Sequence, residues 1–385
     1  MKAGWQTNKL GEVCSFLNRG ISPKYLEEGG ICVLNQKCVR DHAVNFFLAR
    51  RHDNTAKRVS SDRLVQAGDV LINSTGTGTL GRVAQVRKAP IEPTTVDSHV
   101  TIARPLPGKF FSEFFGYMLI FIEEAIKKAG EGCGGQTELA RAVLAEKFSV
   151  TYPSSHSEQH RIVAILDEAF DGIATARANA EKNLKNARAL FDSHLHSVFT
   201  EWGEGWVETT IDKISTNLDS KRIPITKSDR KSGEYPYYGA SGIVDYVADY
   251  IFDGDALLVS EDGANLLARS TPIAFSVSGR YWVNNHAHIL KFEHMATQRF
   301  VEFYLASIRL DEYITGAAQP KLNQKALNFI PIPIPVAIDT QKLIVERIES
   351  MQEETQRLES LYQRKLAALD ALKQSLLHQA FSGAL

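Results

Sequence analysis

Residues 193–199 read "SHLHSVF" and residues 375–381 read "SLLHQAF". The offset of 182 carries back along the chain, where Pro153 falls on Pro335 and Gln159 on Gln341. Further out the correspondence loosens but persists. Gly4-Trp5-Gln6-Thr7 returns as Gly205-Trp206-Val207-Glu208, and Gly68-Asp69-Val70-Leu71 as Gly254-Asp255-Ala256-Leu257. Val96-Asp97-Ser98-His99 returns as Val283-Asn284-Asn285-His286, and "GGQTELARAVL" (134–144) lies opposite "GAAQPKLNQKAL" (316–327). Self-similarity on this scale means a tandem duplication, each unit a globular segment of about 130 to 150 residues followed by a long polar-apolar one.

The long segments read as helices. Pro153 and the Pro331-x-Pro333-x-Pro335 run end the strands before them, and no proline follows as far as Val198 or Phe381. Ser157 and Asp339 stand at matched positions as N-cap candidates. The first segment places Ile162, Leu166, Ala169, Ile173, Ala176, Ala180, Asn183, Ala187, Leu190 and His194 at alternating spacings of four and three. The second repeats that frame with Ile344, Ile348, Met351, Thr355, Leu358, Tyr362, Lys365, Leu369, Leu372 and Leu376. This is a heptad seam. Forty helical residues span roughly 60 Å, too long to bury a stripe inside either globular unit. The two helices are therefore expected to pair with each other, antiparallel. Asn183 and Lys365 interrupt the seam at equivalent places. They either fix its register or lie at a frayed edge with their polar ends in water.

The globular segments are rich in short strands, such as "HVTIARP", "DALLVS", "PIAFSVSG" and "AHILKF". Phe111–Lys128 and Gln298–Tyr313 read as amphipathic helices. The expected fold class is α+β (mixed α/β), with two similar globular domains joined by a two-helix antiparallel coiled coil. The boundaries fall at 1–154, 155–200, 201–336 and 337–385.

Composition narrows the function classes. The chain has 385 residues, 44% hydrophobic and 23% charged, which is ordinary soluble composition. No apolar run reaches membrane-spanning length, and "MKAGWQTNKL" is not a signal peptide. Cys14, Cys32, Cys38 and Cys133 form no C-x-x-C pair, so neither a zinc site nor a disulfide framework is implied, and a cytoplasmic setting is expected. His286-x-His288 and His194-x-His196 lack further ligands nearby, so no metal is expected. Net charge is −1, but residues 1–150 carry 20 Lys/Arg against 15 Asp/Glu, and residues 201–335 carry 13 against 17. DNA binding would then need local basic patches or charge lent by a partner.

Two glycine stretches imitate nucleotide loops. In "NSTGTGTLGRVAQV" (73–86) the spelling Gly76-x-Gly78-x-x-Gly81 follows a strand, but Arg82–Val86 alternates like a second strand and Pro90 forbids a helix. A hairpin with a glycine-rich tip fits better. Gly130–Thr137 spells a P-loop with Gln136 where the phosphate-reaching lysine belongs.

Taken together, the wording resembles the specificity subunit of a type I restriction–modification system. The residues that carry it are "GWQTNKLGEV" and "GWVETTIDKI" opening each half, "YPYYGASGIVDYVADYIFDGDALLVSEDGA" (235–264), "GGQTELARAVL", and "SEQHRIVAILDE" and "TQKLIVERIES" opening the helices. The resemblance implies two target-recognition domains, each reading half of a split, asymmetric double-stranded DNA sequence. It implies helices that set the gap and dock two methyltransferase subunits, which bring S-adenosylmethionine and methylate adenine. It also implies a restriction/translocase subunit using ATP and Mg. The chain itself would hold no cofactor and no catalytic residue. It shows no Asn-Pro-Pro-aromatic motif and no intact P-loop.

Base reading uses Arg, Lys, Asn and Gln, while hydroxyls and backbone N–H groups serve phosphates. In the first head the candidates are Asn35, Gln36, Lys37 and Arg40, with Ser74, Thr75, Thr77, Arg82 and Gln136 on the polar loops. In the second they are Lys221, Arg222, Lys227, Arg230, Lys231, Tyr237, Tyr238 and Ser241, with Gln319 and Lys321 on the matching loop. Alternatives remain open. The cations can form a merely solvated face and the tyrosines can be core. The chain can be a coiled-coil scaffold with two protein-binding heads, a nucleotide-dependent enzyme, or a self-sufficient repressor.

Overall fold

A computed structural model describes residues 4–130, 138–316 and 318–385. Two compact units emerge, one formed by residues 1–179 with 365–385 and the other by residues 180–364.

Each unit carries the same antiparallel four-stranded sheet. In the first the strand order is Cys14–Arg19, Val100–Pro105, Val70–Asn73, Val83–Gln85. In the second it is Ser215–Asn217, Ala287–Phe292, Ala256–Ser260, Ala274–Val277. A second four-stranded sheet accompanies each. Thr94–Val96, Ile31–Leu34, Arg50–His52 and Tyr25–Leu26 make one, and Gly242–Val247, Ser232–Gly239, Arg280–Val283 and Phe252–Asp253 the other. A two-stranded ribbon leads into each long helix. Trp5 pairs with Pro153 in the first unit and Trp206 with Pro335 in the second, so the repeat read from sequence is a repeat of register. In Pro331–Pro335 proline takes every second place, which puts all three missing N–H groups on one edge while Ile332 and Ile334 are buried.

The long helices are His156–Thr200 and Ile338–Ser382. Each head packs on the start of one and the end of the other. In the first unit Ile162, Val163 and Leu166 join Leu377, Ala380 and Phe381 around Phe114, Phe115 and Tyr152. In the second, Val345 and Ile348 join Leu195 and Phe199 around Phe300 and Tyr304. The pairing is antiparallel within both units. Arg161 donates to the Leu385 carbonyl and Arg177 meets Asp370 in one, while Arg188 meets Glu359 in the other.

Burying an apolar stripe is what selects these helices, and its period differs from the expected one. Ile162, Ala180 and Val198 recur every 18 residues, as do Ile348 and Leu366, and 18 residues make five turns of an α-helix. A strict heptad lags this period by about 20° per repeat. By mid-helix the lag amounts to one position. Asn183 and Lys365 therefore point to solvent and Leu184 and Leu366 take the inward places; Leu190, 64% exposed, yields to Phe191, and Leu372, 46% exposed, yields to Lys373. Ile173, Ile344, Leu358 and Leu369 are half-buried on the stripe. The two polar interruptions thus do not lie in the seam.

The helix starts also differ from expectation. Ser157 and Asp339 fall inside the first turn, and Ser155 Oγ accepts the Glu158 N–H at 3.4 Å as the cap. Gln159 and Gln341 fasten each start to its head. Gln159 donates to the Pro153 carbonyl at 2.9 Å and accepts the Phe111 N–H at 2.7 Å. Gln341 donates to the Pro335 carbonyl at 2.7 Å and accepts the Thr297 hydroxyl at 2.7 Å. Of the two expected head helices, the first divides into Ser112–Phe121 and Glu123–Gly130, letting Glu123 turn in toward His42 and Lys127. The second is Met295–Ser307 followed by a 3-10 turn at Asp311–Tyr313. No helix of the described residues is long and apolar enough to cross a membrane.

Candidate nucleic-acid interface

In the first unit Val70–Asn73 and Val83–Gln85 form an antiparallel hairpin, and no helix follows the glycines. The dinucleotide-loop spelling has a conformational origin instead. Gly76, Gly78 and Gly81 all adopt positive φ, at 102°, 73° and 80°. Gly81 also admits the backbone of Lys127 so closely that a Cβ would lie 2.8 Å from its nitrogen.

The hairpin and the Asn35–Arg40 segment lock together. Asn73 Nδ2 donates to the Gln36 carbonyl at 3.0 Å, and the Thr79 hydroxyl donates to Gln36 Oε1 at 3.1 Å. The structure thus brings most first-head candidates into one cluster and divides their work. Asn35 is structural at both ends of its amide, accepting from Lys37 N–H at 2.9 Å and donating to the Leu48 carbonyl at 3.2 Å. Ser74, expected to face DNA, is fully buried against the Thr101 hydroxyl at 2.6 Å. Thr75 pairs with His99 Nδ1 at 2.6 Å, and Arg82 folds back onto the Gly78 carbonyl at 2.8 Å. Lys37, Arg40 and Thr77 are exposed. Gln136 and its loop neighbours at 131–137 lie outside the described residues.

In the second unit Lys221, Lys227, Lys231, Ser241 and Gln319 are exposed. Three other candidates are corrected by their surroundings. Tyr237 is buried, its hydroxyl accepting the Ile225 N–H at 3.1 Å. Arg230 caps the Tyr237 ring at 4.4 Å and pairs with Asp245 at 3.2 Å. Arg222 reaches Glu261 at 2.7 Å and the Ala287 carbonyl at 2.8 Å, so its guanidinium is spent inside the fold. Tyr238 packs edge-on against Tyr281 and burial pushes its hydroxyl above the ordinary tyrosine value. Lys321 is half exposed and meets Glu261 at 3.1 Å.

Sequence reasoning missed the network that consumes Arg222 and Lys321. His288 Nδ1 donates to Asp219 at 2.5 Å and its Nε2 to the Leu322 carbonyl at 2.8 Å. Asp219 also accepts the Ile289 N–H at 2.8 Å. Burial alone would push Asp219 and Glu261 upward. The pairing with His288 and Ile289 for the first, and with Arg222, His288 and Lys321 for the second, holds both below the usual carboxylate range. Asp219, Glu261 and His288 lie close enough to suit a metal, but these side chains are already engaged by N–H donors or acceptors of their own, and the arrangement is an ion-pair network. Its sequence trace, beside the cations Arg222 and Lys321, was His288 two places beyond the repeated His286. In the first unit the equivalent strand positions hold the Ser74–Thr101 hydroxyl pair. His99 and His286 are both structural, their backbone N–H groups accepted by Asp97 at 2.9 Å and Asn284 at 2.7 Å.

A head of two four-stranded sheets, packed on the start of one long helix and the end of the other and presenting exposed polar loops, is one unit built twice over. Residues 2–185 and 203–365 match the family described as type I restriction modification DNA specificity domain, and the chain belongs to that family. It is 32% identical over 168 residues to a putative type I restriction enzyme specificity subunit of Haemophilus influenzae. That match covers 44% of this chain, and the chain spans about two fifths (41%) of the relative's length. Among solved structures, a chain from work on complex assembly and conformational transition of the type I R-M system superposes with a TM-score of 0.82 at 15% identity, covering 100% of this chain and 99% of that one. The HsdS subunit from Thermoanaerobacter tengcongensis superposes with a TM-score of 0.62 at 17% identity, covering 100% and 98%. Both share the fold.

Proposed function

We propose that this chain is the sequence-reading subunit of a type I restriction–modification complex, without catalysis of its own. Each unit reads one half of a split, asymmetric duplex, and the two long helices set the gap between halves and dock two methyltransferase subunits. Those subunits supply S-adenosylmethionine and methylate adenine, and a restriction/translocase subunit supplies the ATP- and Mg-dependent step, in the cytoplasm. The observation that supports this reading best is the duplicated head in a chain of the DNA specificity family, each head with its own exposed cations, Lys37 and Arg40 in one and Lys221, Lys227 and Lys231 in the other. Near-neutral overall charge fits a subunit that borrows phosphate-neutralising charge from its partners.

The test is an adenine-methylation map of the source genome with the gene intact and deleted. Loss of one split, asymmetric motif on deletion is the expected result. Retention of every motif in an active system would favour the scaffold reading. Inserting one heptad at equivalent points of both helices should lengthen the gap in that motif and leave both half-sequences unchanged.

A further inference from the structure

Between the strands Ala43–Val44 and Arg50–His52 the first unit makes a single 3-10 turn, Phe46–Leu48. Phe46 is 39% exposed, Leu48 49% and Phe47 fully. The turn is fastened on both sides. Asn45 Oδ1 accepts the Phe47 N–H at 2.9 Å, the Asn45 N–H donates to the Cys38 carbonyl at 2.8 Å, and Asn35 Nδ2 donates to the Leu48 carbonyl. The backbone that carries the Phe47 benzyl group is therefore fixed while the ring itself stands in water, between two half-exposed apolar neighbours, as apolar surface that a bound partner would cover.

The surroundings say what that is. The asparagine that fastens Leu48 opens the Asn35–Arg40 segment, whose Lys37 and Arg40 are exposed and whose Gln36 is bonded to the glycine hairpin. A protein interface would call for a wider apolar face with cations depleted from its core. A small aromatic tip beside the exposed Lys37 and Arg40, the latter within 3.7 Å of Asp41, and beside polar turn residues suits a polyanion whose bases stack.

We infer that Phe47 is a wedge that inserts between two base pairs of the half-site read by the first unit, unstacking that step and bending the duplex, while Lys37 and Arg40 hold flanking phosphates. This rests on the DNA-specificity reading above. The wedge adds selectivity through deformability, because pyrimidine–purine steps open most easily, so the half-site carries a TA or CA step where Phe47 enters.

The experiment uses the chain in complex with its methyltransferase, on target duplexes carrying 2-aminopurine at each half-site position in turn. One position other than the methylated adenine, which the methyltransferase itself takes out of the stack, should brighten on binding. Phe47→Ala should abolish that signal and weaken binding about 10- to 100-fold, Phe47→Trp should keep both, and the unfolding midpoint should be unchanged because the side chain lies in solvent. If the wild-type complex binds its target and no position besides the methylated adenine brightens, or if Phe47→Ala binds and brightens like wild type at every position, the wedge is overturned while the DNA reading stands. If Phe47→Ala instead loosens the methyltransferase, the aromatic belongs to a protein interface and the wedge is again overturned. If the wild-type complex binds no DNA, the reading beneath the wedge has failed as well.

Discussion

Replacing Asp219 with alanine removes the acceptor for three donors at once: His288 Nδ1 at 2.5 Å, the Ile289 N–H at 2.8 Å and Asn217 Nδ2 at 3.2 Å. The nearest remaining carboxylate, Glu261, is 3.8 Å from His288 Nδ1 and already carries Arg222 and Lys321. His288 is 1% exposed, so an Nδ1 deprived of Asp219 has no water to turn to. Removing one partner of such a pair costs about 3 to 5 kcal/mol. In a unit of this size each kcal/mol lowers the unfolding midpoint by about 2 to 4 °C, so the expected fall is about 6 to 20 °C at pH 7. The pH dependence follows from the direction of the Asp219 shift. Its carboxyl is held below the ordinary value in the folded state, so its contribution is full at neutral pH and is lost as pH falls through that lowered value, below about 4. Scanning calorimetry of wild type and variant from pH 7 down to 3 should show the gap in midpoints narrowing in the acid range. A fall of less than 2 °C at pH 7, or a gap that stays constant to pH 3, would refute the reasoning.

Three further outcomes follow from the geometry. Leu366→Ala should destabilise by about 1 to 3 kcal/mol and Lys365→Ala by less than about 0.5, read from urea midpoints; the reverse order would restore the heptad seam. Gln159→Ala and Gln341→Ala should each cost about 2 kcal/mol through an orphaned proline carbonyl and its second partner, and unequal effects would mean that the repeat is not energetic. In the methyltransferase complex, Lys37→Ala and Arg40→Ala should each reduce the salt dependence of DNA binding by about one unit of slope; an unchanged slope would take these cations off the phosphates.

Duplication was legible because it is written in residue identity, and Trp5↔Pro153 against Trp206↔Pro335 shows it in register. The hairpin reading of residues 73–86 held because alternation after Gly81 reports directly on backbone period. The seam slipped because 3.5 and 3.6 cannot be told apart until the lag accumulates, which takes it to Asn183 and Lys365. The site was only partly legible. Arg222 and Lys37 are both cations beside a turn, and only the folded positions of Glu261 and Asp219 decide that one is spent inside and the other faces solvent. Nothing in the sequence marks Phe47 out from its apolar neighbours, because exposure is a tertiary fact.

The core of the first unit is closed by Leu377, Ala380 and Phe381, some 180 residues beyond the end of the helix they face. Synthesis runs from the N-terminus. Residues up to 179 therefore leave the ribosome before residues 377–381 and wait, with Phe114 and Leu166 missing a wall, until those are made. The second unit is contiguous in sequence and has no such wait. The unit that begins first is completed after the other, and the nascent chain exposes an unfinished core while the roughly 180 intervening residues are made.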